Sequence, residues 1–393
     1  MIFRKSFVFL LLVAAACVGR ADDAAAPPTG APEQPLDMRR VARKIEPELA
    51  GKIARLPQYI NFFSRELGND SRICAFDVTA VPGSRDGDKN QVVLRGFVEF
   101  PETRAALTRY LTLLGFTVDD QLEKLPAKSL GENVFGLVKV PHSYYFDRTT
   151  GRRKQENDGL LGEPLLLLRE QDGQLLAHSH EGYLGYIRSE DVLRVDEAAY
   201  VKYLSGPRVL VTADQTRGES KIPAGARLKW ISTNGDTVTA ELPTGESVKL
   251  PAAACKVCEV PAAKIDDIIA TAQRLIGAPY FWGGRTSEGI DCSGLVQMGY
   301  GAAGLHLPRD AYQQFYIGQL TATRWHKAGL RRGDTLYFLG PDGKIRHTGI
   351  YLGDDHFLHA VMPVVRINSF NPKDPEYDAK RAASFAFGKR LLD

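Results

Sequence analysis

Apolar residues recur at helical spacing at Val41, Ile45, Leu49 and Ile53, and Pro47 and Pro57 interrupt the pattern. Farther on, strand-like Phe76-Asp77-Val78 and Val92-Val93-Leu94, a helical stretch from Thr103 to Leu114, and strand-like Phe116-Thr117-Val118 follow one another. The pattern over 37–130 therefore predicts helices followed by a small α+β unit. Over 134–196, and again over 207–260, short alternating strands and turn residues recur at the spacing of small β-barrels. The last region, 265–392, mixes helical and strand-like stretches. Within it, Ile345 to Leu352 and His356 to Val361 alternate on either side of Gly353-Asp354-Asp355, which predicts a hairpin.

The first residues carry a different pattern. Arg4 and Lys5 precede an apolar stretch from Phe7 to Val18, followed by Gly19-Arg20-Ala21. This predicts a signal peptide over 1–21, too short to span a bilayer, and hence an exported, periplasmic or envelope-associated protein. Cys17 after Ala15-Ala16 offers an alternative exit, cleavage before a lipidated cysteine that would anchor the chain. The Ala- and Pro-rich stretch 22–36 is expected to be a linker.

The chain has 393 residues and a net charge of +3. This length allows several domains, and the near-balanced charge with no basic tract gives no reason to expect a nucleic-acid partner. Nothing implies a metal, an organic cofactor or a stable protein partner. Cys255 and Cys258 form a single Cys-x-x-Cys without a second ligand pair, so a local disulfide is expected rather than a zinc site. Cys74, between Ile73 and Ala75-Phe76, is expected to be buried.

The candidate chemistry gathers around Cys292. Asp291 suits the N-cap of a helix beginning at Cys292, and Gly304 suits its end. A thiol in that first turn sits at the positive end of the helix dipole, which favours thiolate, and the unpaired N–H groups there can hold an oxyanion. If Gly353-Asp354-Asp355 form the hairpin loop, Leu352 faces His356 and His347 faces Val361. His359 is then the diagonal neighbour of His347 on the same face. His356 falls on the other face and is expected to be a bystander. Gly333-Asp334 before Thr335-Leu336-Tyr337-Phe338-Leu339 reads as a structural turn feeding a buried strand. Tyr280 suits the core as well as the site, and Trp282 is expected to pack inside.

Over Ile265 to Leu392 the chain resembles the NlpC-type family of bacterial cell-wall cysteine peptidases. The matching landmarks are Pro279-Tyr280-Phe281-Trp282-Gly283-Gly284, Asp291-Cys292-Ser293-Gly294, Leu307-Pro308-Arg309-Asp310 with Gln314, Arg332-Gly333-Asp334, His347 and His359. The resemblance implies a papain-like α+β domain with Cys292 as nucleophile, His347 as base and acid, His359 as its orienter, and the Tyr280 hydroxyl near the thiol or the substrate carbonyl.

The segments 134–196 and 207–260 resemble bacterial SH3-like domains, the first through Leu161-Gly162-Glu163 and Gly182-Tyr183-Leu184-Gly185-Tyr186. By that resemblance Glu163 and Tyr183, with Asp291 from the peptidase side, would meet the free amino group of an N-terminal L-alanine, and Ser293 is a further candidate for binding substrate. The implied activity is hydrolysis of the γ-D-glutamyl-diamino acid bond in peptidoglycan stem peptides or muropeptides. An amidase acting between sugar and L-alanine, or a wall-binding protein without activity, are the alternatives the residues leave open.

Overall fold

The structure is a computed structural model that describes residues 37–67, 70–83, 88–218, 220–258 and 264–392. The expected signal peptide, the Cys17 lipidation site and the linker 22–36 lie outside the described residues. Among the described residues no helix is long and apolar enough to cross a membrane.

The N-terminal unit contains the helices Met38–Ile45, Leu56–Glu66 and Pro101–Leu113 and the strands Phe76–Pro82, Gln91–Val98 and Thr117–Asp120. Asp37 caps the first helix by accepting from the Arg39 and Arg40 N–H groups, satisfying donors the helix itself leaves unpaired. Pro47 lies beyond the end of that helix. Pro57 falls in the opening turn of the next, where its missing N–H costs nothing. The strands Gln91–Val98 and Thr117–Asp120 pair in parallel, so Pro101–Leu113 is the crossover helix that such a pair requires. Tyr59, Phe63, Leu107, Tyr110 and Leu111 fill the space between helices and sheet.

Two antiparallel units follow. The first is a seven-stranded sheet built from strands between Phe135–Val138 and Val192–Val195. The second is a five-stranded sheet whose outer strand is Cys255–Cys258, beside a two-stranded hairpin. Gly162 joins them. Its φ is +83°, and a Cβ there would lie 2.2 Å from the Arg227 carbonyl oxygen, so no other residue fits. The disulfide expected between Cys255 and Cys258 is not present: Cys255 is a free thiol on an extended strand. Cys74 is likewise free and only part-buried.

The C-terminal unit wraps a six-stranded antiparallel sheet around the helix Cys292–Ala302. The sheet runs in the order Gln319–Thr323, Phe385–Arg390, Thr335–Leu339, Ile345–Gly353, His356–Ala360 and Val365–Ser369. Nearly every residue of the helix is buried. Leu295 and Val296 meet Ile268, Ile350, Leu358 and Leu160, the last contributed by the first antiparallel unit. The helix stops at Ala302, with Gly304 in the left-handed region at φ +81°. Asp334 is buried and accepts from Arg390 and the Arg331 N–H. This fits the structural turn expected of Gly333-Asp334.

Candidate active site

Asp291 fixes the turn that carries Cys292. Its Oδ1 accepts from the Gly294 N–H at 2.7 Å, and its Oδ2 accepts from the Gly283 N–H at 2.8 Å. Gly294 is obligatory here, because a Cβ would come within 2.5 Å of the Gly284 carbonyl oxygen. Arg309, 1% exposed, then grips both carboxylate oxygens, with Nη1 donating to Oδ1 at 3.0 Å and Nη2 to Oδ2 at 2.6 Å. The same Nη1 donates to Ser293 Oγ at 2.8 Å, and Nε donates to Asn157 Oδ1 at 2.7 Å in the first antiparallel unit. Asp291 and Ser293 are thus committed to holding the turn, which is a different task from meeting a substrate amine. The first intrahelical bond runs from the Leu295 N–H to the Asp291 carbonyl at 2.9 Å. The Cys292 and Ser293 N–H groups precede it, in the first turn where a helix leaves its N–H groups without intrahelical acceptors.

Cys292 is 7% exposed. Burial pushes its thiol up to about 12, Asp291 adds to the rise, and the Thr348 and Ser293 backbone N–H groups and Arg309 oppose it. Burial therefore opposes the thiolate that the helix N-terminus favours.

His347 and His359 meet as the hairpin register required. Ile350 pairs with Leu358, the register in which His347 and His359 are diagonal neighbours. The turn differs in detail. Asp354 and Asp355 alone form the tip, with φ of 48° and 63°, and a register shift falls between Tyr351 and Gly353. The strands can approach closely because Gly349 has no side chain: a Cβ would lie 2.8 Å from the Leu358 carbonyl oxygen. His356 faces away, 3.0 Å from Asp374.

His347 Nε2 lies 2.8 Å from His359 Nδ1, and His359 Nε2 lies 2.8 Å from Asn368 Oδ1. The protons on this chain follow from its far end. Asn368 Nδ2 donates to the Glu376 carbonyl at 2.9 Å, and Asn368 Oδ1 accepts from Arg366 Nε at 3.2 Å, which fixes the amide orientation. His359 Nε2 must then carry a hydrogen, its Nδ1 must accept, and His347 Nε2 must donate. The lone pair of His347 is left on Nδ1. Burial, with Arg381 and His359 adding, holds the His347 imidazolium well below the ordinary histidine range. Burial also lowers His359 to about 4, against the opposing bond from Asn368. Both rings are therefore neutral near neutral pH.

Tyr280 is half-buried beside this centre, its hydroxyl pushed up by burial and then by the neighbouring Cys292 and Asp291. Trp282 does not pack inside as expected. It is 47% exposed, next to Phe281 at 44%, and Lys154 Nζ stands 4.9 Å from its ring centroid. The glycines after it turn the chain toward Asp291, which leaves both aromatic rings on the rim.

Glu163 and Tyr183 have separate fates. Glu163 is 1% exposed and spends both oxygens inside the protein: Arg285 donates to Oε1 at 2.8 Å and to Oε2 at 3.1 Å, and the Leu160 N–H donates at 3.0 Å. Although burial opposes it, Arg285 and then His180 hold this carboxyl at about 2. The expected meeting of Glu163 with a substrate ammonium is therefore corrected: the charge is already neutralised by Arg285 and locks the first antiparallel unit onto the peptidase unit.

Tyr183 is equally buried, yet its hydroxyl has no hydrogen-bond partner among the described residues. The charges around it belong to Asp310, Glu156, Arg72 and Arg309. Asp310 Oδ2 also lacks a hydrogen bond among the described residues, though Arg72 Nη1 stands 3.2 Å away as an ion pair. Both are buried polar atoms without hydrogen-bond partners among the described residues, which makes their surroundings a candidate place for a ligand. Sequence reasoning missed Asn368, Arg381, Glu156 and Arg72. Asp310 was visible in its motif but had no role assigned, and Asn368 could have been sought as an acceptor on the strand after His359.

Residues 277–381 match the model of the NlpC/P60 family. Among similar proteins, the γ-D-glutamyl-L-lysine dipeptidyl-peptidase of Bacillus cereus is 25% identical over 271 residues, covering 62% of this chain and 79% of that protein. Dipeptidyl-peptidase 6 of Lysinibacillus sphaericus is 35% identical over 116 residues, which cover 28% of this chain and 39% of that protein. A crystal structure of an NlpC/P60 family protein from Bacillus cereus superposes with a TM-score of 0.57 at 20% identity, covering 66% of this chain and 100% of that one. At that identity the likeness is one of fold. The C-terminal unit thus contains an NlpC/P60 domain of papain-like fold, and its relatives include proteins named as dipeptidyl-peptidases.

Proposed function

We propose that this chain, with its NlpC/P60 domain, is an exported thiol peptidase that hydrolyses the γ-D-glutamyl-diamino acid bond of peptidoglycan stem peptides. The observation that carries this reading is the chain Asn368-His359-His347 at the N-terminus of the Cys292 helix, whose protonation pattern leaves His347 Nδ1 as the base. The relatives support the bond: one is named for γ-D-glutamyl-L-lysine.

On this reading the thiol and imidazole begin neutral. As Sγ of Cys292 attacks the γ-carbonyl, its proton passes to His347 Nδ1, and the imidazolium is oriented by His359. The Cys292 and Ser293 N–H groups hold the oxyanion. Collapse of the tetrahedral intermediate breaks the C–N bond, His347 returns the proton to the leaving amine, and a thioester remains. Water, deprotonated by His347, attacks the thioester and releases the carboxylate and the free thiol. Tyr280 positions the substrate carbonyl beside Cys292. Tyr183 and Asp310 seat the first residue of the peptide, a free L-alanine, and Glu156 rather than Glu163 supplies the second negative charge. The two antiparallel units act as SH3-like walls of the cleft.

The test is incubation of the protein and a Cys292→Ala variant with L-alanyl-γ-D-glutamyl-meso-diaminopimelate, followed by mass spectrometry. Release of free diaminopimelate by the unaltered protein alone is expected. Absence of any Cys292-dependent cleavage would remove the assigned bond.

A further inference from the structure

Arg381 sits in the short helix Ala379–Ser384, which leads into the strand Phe385–Arg390 of the six-stranded sheet. Its guanidinium carbon stands 5.7 Å from the centroid of the Phe338 ring. Phe338 is the cross-strand neighbour of His347, and their ring centroids are 5.4 Å apart. The cation thus rests on the ring that backs the candidate base. Arg381 is part-buried, yet among the described residues its guanidinium makes no hydrogen bond and no ion pair. Asp378, the carboxylate nearest to it in the chain, instead accepts from the Arg381 backbone N–H at 2.9 Å. Burial draws this guanidinium below its ordinary value, and the charges that oppose the fall are those of Asp378, then Cys292 and Tyr280. The same cation therefore stands near the thiol as well as the base. A guanidinium that gives up part of its hydration without an anionic partner is costly, and a ligand carrying a negative charge would supply what the protein does not.

We propose that Arg381 is a specificity-determining residue that binds the α-carboxylate of the leaving diamino acid. This rests on the reading of the site as one for stem peptides. The leaving amine must come to His347 to receive its proton, and the carbon bonded to that nitrogen carries the carboxylate. A cation beside His347 therefore meets it, and the planar fork can hold both of its oxygens. Where a further residue follows the diamino acid, that carboxylate becomes an amide and the ion pair is lost. The site thus favours peptides that end at the diamino acid. The charges around Tyr183 are those of Asp310, Glu156, Arg72 and Arg309, so Arg381 attends to a different part of the substrate from its first residue.

The experiment compares kcat/KM for L-alanyl-γ-D-glutamyl-meso-diaminopimelate and for the same peptide amidated at the carboxyl next to the scissile nitrogen, using the full chain and the variants Arg381→Gln and Arg381→Lys. The glutamyl carboxylate is present in both peptides, so the comparison isolates that of the leaving residue. The unaltered protein is expected to prefer the acid by about 10- to 100-fold, the scale of one charge-assisted hydrogen bond. Arg381→Gln should bring the ratio of acid to amide close to one, and Arg381→Lys should keep part of the preference. A merely structural Arg381 would lower both rates together and leave the ratio unmoved. Equal rates for acid and amide in the unaltered protein overturn the proposal, as does a preference that survives Arg381→Gln. If the unaltered protein cleaves neither peptide, the stem-peptide reading has failed, and the anion site is judged by alkylation of Cys292 with iodoacetate and with iodoacetamide. A ratio of iodoacetate to iodoacetamide rate that falls in Arg381→Gln supports it, and an unchanged ratio overturns it.

Discussion

Arg309 clamps Asp291 through two hydrogen bonds of 3.0 and 2.6 Å, and its third arm reaches Asn157 of a different unit at 2.7 Å. The geometry of the nucleophile's turn is therefore tied to the docking of the first antiparallel unit. A paired, fully bonded buried charge is tolerated, but removal of one partner leaves the other unpaired. Arg309→Met should destabilise the protein by about 3–5 kcal/mol in urea unfolding. Arg309→Lys should also lose most activity, since one ammonium cannot replace the planar fork. Full activity in Arg309→Lys would show that the clamp does not set the turn.

Asn368 tests the direction of the proton chain. Asn368→Leu removes the acceptor that keeps the hydrogen on His359 Nε2, and kcat should fall about 10²-fold or more, by analogy with loss of the orienting group in other triads. Asn368→Asp keeps an acceptor and adds a charge, so activity should survive within about tenfold. The negative charge should also raise the acid limb of the kcat/KM profile. Equal losses in the two variants would exclude the tautomer role.

The pH dependence follows from the same rings. His347 is held well below the ordinary range and His359 at about 4, both first by burial. The base thus stays neutral below pH 6.5, and the acid limb of kcat/KM should lie below that value. For stability the sign is fixed by proton uptake. The unfolded chain, with histidines near 6.5, binds more protons than the folded one, so stability falls as pH drops from about 6.5 toward about 4. Urea midpoints measured across that range should decline, and His359→Gln should flatten part of the slope.

The interface around Glu163 should respond to alkali. His180 stands 2.9 Å from Glu181 and 3.5 Å from Glu163. Although burial opposes it, these two carboxylates push His180 up to about 9. A raised folded value means that its contribution is fully present below the unfolded value near 6.5 and is lost as pH rises through about 9. Thermal unfolding should show this loss, and His180→Gln should remove it.

Glu163 itself distinguishes a locking residue from a substrate ligand. Glu163→Gln leaves Arg285 buried with a weakened partner and should cost about 3–5 kcal/mol at most. The preference for free over acylated tripeptide should not change. A changed preference with unchanged stability would restore Glu163 to the substrate site.

The pairing of His347 with His359 was legible because strand alternation and hairpin register depend only on counting residues. The helix from Cys292 was legible because its cap and its end are local chemistry, and Gly294 and Gly349 mark backbone contacts that admit no side chain. The turn itself was misjudged by one residue, since the shift near Leu352 arises from twist and neighbouring strands.

The sequence by itself put Cys292 in the first turn of a helix and His347 with His359 on one face of a hairpin, because caps, periodicity and strand register are local properties. Only the tertiary structure decided which buried charges meet. Glu163 went to Arg285, Asp291 to Arg309, and the unsatisfied pair fell to Tyr183 and Asp310 with Arg72 brought from more than a hundred residues away. It also brought in the desolvation that opposes a thiolate at Cys292, because the helix dipole is a local property, whereas desolvation depends on everything packed around the sulfur.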